Sequence, residues 1–215
     1  GSGRRGGESA PVSESAGTQV RLKDVKQEVV DRGLKKADEV TRAQLANLVR
    51  KQKIPEEQAA EQATTILGRI TGTTTYDGFG DVDLVIEAVP ERMEIKQTVM
   101  ADLDEVTPGH AIIASNTSSL AISEIGEIIP GRADKVVGFH FFYPASMMRL
   151  VEIVEGADTS PETLQTATTF AQTIRQMPIT AGEEARYGGN GALVATNGEE
   201  GRVPGGRGVA QRGDA

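Results

Sequence analysis

Residues 111–152 read AIIASNTSSLAISEIGEIIPGRADKVVGFHFFYPASMMRLVE, and the fold of the whole chain turns on how this stretch is parsed. The apolar run Ala111 to Ala114 stops at Ser115-Asn116-Thr117-Ser118-Ser119. A second run, Val136 to Phe142, carries His140, and a third, beginning near Met147, brings Glu152. Short apolar runs closed by polar clusters suit the strands of an open α/β sheet, whose ligands bind just beyond the carboxyl ends. His140 is one of two histidines in the chain. With a carboxylate on a neighbouring strand it is a candidate oriented base; the competing reading is a buried histidine bonded to backbone.

Working outward, Asp83 to Val89 is nearly continuous apolar and is expected to be a central strand buried on both faces, ended by Pro90. A helix is expected from Glu91 to Val106. Its first turns hold Glu91 and Lys96, which can meet a nucleotide or simply lie in solvent. Val20 to Asp24 reads as a short strand ending in an acid. Asp24 lies 18 residues after Gly6, near the spacing of a ribose-binding carboxylate downstream of a G-x-G-x-x-G loop, here Gly1, Gly3 and Gly6. No strand precedes that loop, and the segment Glu8 to Ala16 after it contains Pro11 and few apolar residues.

Gln27 to Lys51 has apolar residues at helical spacing, and Pro55-Glu56-Glu57 opens a second helix to about Leu67. Together they predict a helical hairpin. Ile70 to Thr75 is a strand candidate. Beyond the central stretch, Ser118 or Ser119 can cap a helix running through Ile125. Leu150 to Val154 is a strand, Ser160-Pro161 opens a helix, and Met177 to Thr180 is a last strand. Strands alternating with helices predict an α/β fold with a doubly wound parallel sheet, a Rossmann-like domain carrying a helical hairpin insertion.

Composition bounds the partners. The chain of 215 residues has 31 Asp+Glu against 23 Lys+Arg and a net charge of −8, which argues against nucleic acid as main partner because phosphate backbones need a basic face. It has no cysteine, so neither a disulfide framework nor a thiol nucleophile is available. No metal site is expected. No apolar stretch approaches a membrane span and no signal peptide is visible, which leads to the expectation of a cytoplasmic protein. Ten of the 25 glycines fall in Gly182–Ala215, a segment with too little apolar surface to offset its ordering entropy. The expected organisation is a degraded Gly-rich loop over 1–18, a compact domain over 19–180 and a disordered Gly-rich tail over 181–215.

The segments DVDLVIEAVPE, SNTSSL, GFHFFYP and LVEIVEG, in this order and at these spacings, resemble the NAD-binding domain of the L-3-hydroxyacyl-CoA dehydrogenases of fatty-acid β-oxidation. The resemblance covers Gly1 to about Thr180. It implies NAD as cofactor, an acyl-CoA substrate, and a parent enzyme that is a homodimer or part of a multifunctional β-oxidation protein. It implies that His140 is the general base, Glu152 its orienting carboxylate and Ser118 a contact to the reacting oxygen near the nicotinamide, with Ser119 as the neighbour to test as a control. Gly1, Gly3 and Gly6 would form the pyrophosphate loop, and Asp24, Val89, Glu91, Lys96 and Tyr143 fall at nucleotide-binding positions.

The departures from the family pattern matter as much. Tyr143 stands where the family usually has asparagine, which changes a polar contact near the nicotinamide. The first strand is missing ahead of Gly1, and the helical domain that closes the family's acyl pocket is not recognisable after Thr180. Both ends read as truncated or frame-shifted. Two other functions therefore stay open: a nucleotide-binding or assembly module without turnover, and a Rossmann dehydrogenase of another small hydroxy acid.

Overall fold

The computed structural model describes residues 17–142 and 148–183. The expected glycine loop at Gly1, Gly3 and Gly6, Tyr143, and the tail beyond Glu183 lie outside the described residues. Seven strands are described: β1 (Val20–Lys23), β2 (Ile70–Thr73), β3 (Leu84–Glu87), β4 (Ile112–Ser115), β5 (Val136–Phe141), β6 (Leu150–Glu155) and β7 (Met177–Gly182). The helices are α1 (Gln27–Arg50), α2 (Glu56–Leu67), α3 (Met93–Val106), α4 (Ile122–Gly126) and α5 (Pro161–Thr173). Most boundaries fall within a few residues of the sequence reading, and α1 and α2 form the predicted hairpin between β1 and β2.

The strands form two sheets. β1 and β2 pair in parallel, and β3-β4-β5-β6-β7 make a five-stranded sheet. Asp83 to Val89, expected as a central strand, supplies the terminal strand of that larger sheet, and Leu84, Val85 and Ile86 are only half-buried. The parallel expectation holds at every strand pair but one: β5 and β6 are antiparallel. The reason is chain length. Only eight residues, 142–149, connect β5 to β6, and a parallel crossover needs about a dozen or more. The remaining connections within the large sheet pass through α3, α4 and α5 and return the chain in parallel.

Alternation along the strands divides the core into two layers. Ile112, Ala114, Val137, Phe139, Phe141, Val151 and Ile153 pack beneath Ala167, Ala171 and Ile174 of the α5 segment. Ile113, Val136 and Val154 face the other way, against Met100 and Leu103 of α3 and Ile122 and Ile125 of α4. By the same alternation, His140 on β5 and Glu152 on β6 share the α3/α4 face. Phe79 joins this second layer. Tyr76 packs edge-on against it at 5.3 Å and donates a hydrogen bond of 3.1 Å to Asp102, which ties the segment after β2 to α3.

The strand β7 runs two residues past the expected domain edge at Thr180. Beyond it, the Glu183 carboxylate accepts from Ser123 N at 2.9 Å and Ser123 Oγ at 2.7 Å, satisfying a first-turn donor of α4, whose preceding residue Ala121 supplies no side-chain cap. Among the described residues no helix is long and apolar enough to cross a membrane.

The position of α4 depends on Gly138. A Cβ there would lie 2.6 Å from Val154 Cβ and 3.0 Å from Ile122 Cδ1, so β5 must lack a side chain where α4 crosses it. Gly138→Ala is expected to destabilise the chain by about 1–3 kcal/mol through overpacking. Gly131→Ala, at a position with nothing within 4 Å of the added carbon, should leave the urea midpoint nearly unchanged. Equal midpoints for the two variants would show that α4 does not bear on β5 as described.

Candidate active site

The parallel strands β3, β4 and β5 end at one edge of the large sheet, and antiparallel β6 begins there. Asn116, just past β4, accepts from Phe141 N through Oδ1 at 3.0 Å, so the serine-rich turn is bonded directly to the strand that carries His140. Thr117 folds the turn back on itself, its Oγ1 accepting from Leu120 N at 2.9 Å and Ser119 N at 3.3 Å. This local side-chain bonding is what Ser and Thr favour at turns. Neither Ser118 nor Ser119 caps α4, whose N-cap is Ala121.

One carboxylate oxygen organises the turn. Glu91 Oε1 accepts from Thr117 Oγ1, from Ser118 N at 2.9 Å, from Ser119 N at 3.1 Å and from Ser119 Oγ at 3.0 Å. Ser118 is exposed, and its hydroxyl has no hydrogen-bond partner among the described residues. Burial pushes the Glu91 carboxyl up, but the Thr117 hydroxyl, the Lys96 ammonium and the Ser119 and Ser118 donors outweigh it and hold the group down at about 2.

Behind Glu91 lies a buried ion pair. Lys96, on the second turn of α3, is fully buried; its Nζ donates to Glu87 Oε2 at 2.7 Å and Oε1 at 3.0 Å, and lies 3.5 Å from both Ser115 Oγ and Glu91 Oε2. Glu87 also accepts from Ser115 Oγ at 2.7 Å and Val89 N at 2.6 Å. Val89 thus enters the network through its backbone. Read from sequence, Lys96 was either a nucleotide contact or a solvated residue, Ser115 and Asn116 were members of the polar cluster after β4, and Glu87 was passed over. The available signal was an acid inside the apolar run of β3, which must find a counter-charge when buried.

His140 and Glu152 are directly opposite each other across β5 and β6. His140 Nδ1 is 3.4 Å from Glu152 Oε2, both side chains are 19% exposed, and the imidazole packs against the Phe142 ring at 5.2 Å. The carboxylate thus lies within ion-pair distance of the ring, and both side chains stay partly exposed. Asp24 is separate, half-buried at the carboxyl end of β1, where its Oδ1 accepts from Lys26 N at 3.4 Å.

The Glu91 shift makes a pH prediction. A carboxyl held down from 4.5 to about 2 adds stability that is complete above its unfolded value and is lost as pH falls from about 4.5 toward 2. Acid unfolding of Glu91→Gln should accordingly show a shallower loss of stability across that window than the unsubstituted chain. Superimposable acid limbs would mean that the turn does not depend on ionised Glu91.

Comparison with known proteins gives one consistent result. The family model described as 3-hydroxyacyl-CoA dehydrogenase, NAD binding domain, matches residues 1–185. A 3-hydroxybutyryl-CoA dehydrogenase of Clostridioides difficile is 38% identical over 194 residues, covering 90% of this chain and 66% of that protein. The fatty acid oxidation complex subunit alpha of Pseudomonas savastanoi is 36% identical over 179 residues, covering 83% of this chain and 24% of the relative. The solved 3-hydroxybutyryl-CoA dehydrogenase of Escherichia coli K12 superposes with a TM-score of 0.74 at 33% identity, over 85% of this chain and 37% of that one. The chain spans between about a quarter and two thirds of the curated relatives it matches. By sequence and by fold, the chain belongs to the family of NAD-binding domains of the 3-hydroxyacyl-CoA dehydrogenases.

Proposed function

We propose that the chain supplies the cofactor-binding and proton-transfer half of an enzyme that oxidises L-3-hydroxyacyl-CoA to 3-oxoacyl-CoA. The observation that carries this reading is the cross-strand pair of His140 and Glu152, on the sheet face and at the sheet edge where the serine turn is bonded to β5. Two further residues suit the dinucleotide of the family. A carboxylate at the end of β1, Asp24, suits ribose hydroxyls, and the uncommitted Ser118 hydroxyl suits a polar atom near the reacting centre.

Bound NAD would supply the hydride acceptor. The protein's share is proton chemistry and orientation. Glu152 lies against Nδ1, which favours the tautomer protonated there and leaves Nε2 as the basic nitrogen. His140 Nε2 takes the proton from the substrate's 3-hydroxyl as the C3–H bond gives up its hydride, and the C3–O bond becomes a carbonyl. Glu152 then stabilises the imidazolium without itself being protonated. Ser118 Oγ hydrogen-bonds the same oxygen and fixes its direction.

The substrate class is an acyl-CoA thioester, met in the cytoplasm. The fuller protein would be a homodimeric dehydrogenase or part of a multifunctional β-oxidation protein; one relative is a subunit of a fatty acid oxidation complex.

Calorimetric titration with NADH, together with NAD reduction by 3-hydroxybutyryl-CoA, tests the reading. NADH binding is expected of the chain and oxidation of the intact enzyme that contains it, with His140→Ala in that enzyme slowing oxidation by about 10²–10⁴-fold and leaving NADH affinity intact. An undiminished rate in His140→Ala would reject the proposal. Binding without oxidation would favour a nucleotide-binding or assembly module, and oxidation of free 3-hydroxybutyrate in place of the thioester would favour a dehydrogenase of another small hydroxy acid.

A further inference from the structure

Ser123, in the first turn of α4, is where three separate stretches of the chain meet. Its backbone N–H and its hydroxyl both donate to Glu183 Oε2, at 2.9 Å and 2.7 Å, and the same hydroxyl accepts from Ala157 N at 2.7 Å. One side chain thus joins α4 to the connection after β6 and to the residue that follows β7. Beside it, Ile122 is buried against two glycines. An added Cβ would lie 3.0 Å from Ile122 Cδ1 at Gly138, and 2.9 Å from Ile122 Cγ2 and 3.1 Å from Ser123 N at Gly156.

α4 needs support from outside itself. It has five residues, too few to hold a helical turn by its own hydrogen bonds. The residue before it, Ala121, has the extended backbone of an N-cap, with φ −67° and ψ 130°, but makes no side-chain cap bond. A Ser, Thr, Asp or Asn at such a position accepts from the N–H two or three residues on. Ser123 N is that donor, and Glu183 supplies the missing oxygen from 60 residues away. A carboxylate acceptor makes the bond stronger than a neutral cap would.

The serine turn ends where α4 begins. Its leading end is fixed to β5 by Asn116. Its trailing end passes through Leu120, whose N–H donates to Thr117 Oγ1, and then Ala121 into the helix. We propose that Glu183 is a positioning residue for the serine turn: by capping α4 in place of Ala121, it fixes the trailing end of the turn and ties the placement of Ser118 to the end of β7. The consequence for a reacting oxygen rests on the function proposed above. The cap itself does not.

Amide hydrogen exchange on the chain reads the cap without any turnover. In Glu183→Ala, exchange at Ser123, Leu120 and Ser119 should accelerate by about five- to tenfold, as for the loss of a helix cap. The double variant Glu183→Ala/Ala121→Asp provides an acceptor at the N-cap itself and should return all three amides to within about twofold of the unsubstituted chain. Unchanged exchange at Ser123 in Glu183→Ala would refute the cap. Faster exchange at Ser123 with Ser119 and Leu120 unmoved would refute the positioning of the turn. Exchange at Ile153, inside β6, should not change; equal acceleration there would make Glu183 a general stabiliser and overturn the proposal.

In the intact enzyme that contains the chain, turnover of 3-hydroxybutyryl-CoA at saturating NAD should fall roughly tenfold in Glu183→Ala, as a misplaced contact at the reacting centre costs, and should recover in Glu183→Ala/Ala121→Asp. Preserved turnover beside accelerated exchange would overturn the link to Ser118. An unsubstituted enzyme that does not oxidise the thioester would sink the proposed function, while the exchange rates would still decide what Glu183 does.

Discussion

The antiparallel pairing of β5 with β6 is the constraint on which the rest of the site depends. In a sheet otherwise wound in parallel, it brings a residue near the end of one strand directly opposite a residue near the start of the next. Directly opposed side chains in such a pair are separated by about 4.5–5.5 Å at Cβ, close enough for an imidazole and a carboxylate to meet. A parallel β6 would begin at the far edge of the sheet, and the same two residues would be kept apart. The shortness of the eight-residue connection 142–149 therefore decides which side chains face each other across these two strands.

The pair is held in context by two further contacts of different character. Gly138, two residues before His140 on the same face, lets α4 sit against β5, and Asn116 hydrogen-bonds Phe141 N. The turn that leads into α4 is thereby locked to the histidine strand from below and from the side. Beside it stands the buried Lys96–Glu87 pair. Burying two charges is expensive, and truncating one partner costs about 3–5 kcal/mol where a residual charge is left in the interior. Such a pair adds little net stability compared with an apolar core. What it supplies here is direction: Glu87, Ser115 and Glu91 are all oriented by one ammonium, and Glu91 in turn shapes the serine turn.

Much of this was legible in the amino-acid order. The helix periodicity of Gln27 to Lys51, Pro55 at a helix start and Ser160-Pro161 at another each produced the expected element, because each is a local signal. His140 and Glu152 could be paired because each lies in a short apolar run expected as a strand, and because the family resemblance joins the two. The orientation of β6 was also within reach, since eight residues cannot make a crossover, but strand-helix alternation suggested a parallel sheet throughout. The choice between Ser118 and Ser119, and between capping and ligand contact, was not legible. What the structure shows is that Glu91 engages the Ser119 hydroxyl, a contact between residues 28 apart that no local signal announces. The burial of Lys96 was not legible for a related reason: a lysine early in a helix is ordinarily solvated, and its pairing with Glu87 is set by the tertiary fold.

The central claim, that Glu152 orients the His140 ring so that Nε2 is the basic nitrogen, is most directly tested by the nitrogen-15 spectrum of His140 at a pH where the ring is neutral. The account predicts the Nδ1-protonated tautomer in the unsubstituted chain and a mixture shifted toward the Nε2-protonated form in Glu152→Gln. An Nε2-protonated ring in the unsubstituted chain, or the same tautomer in both proteins, would contradict it.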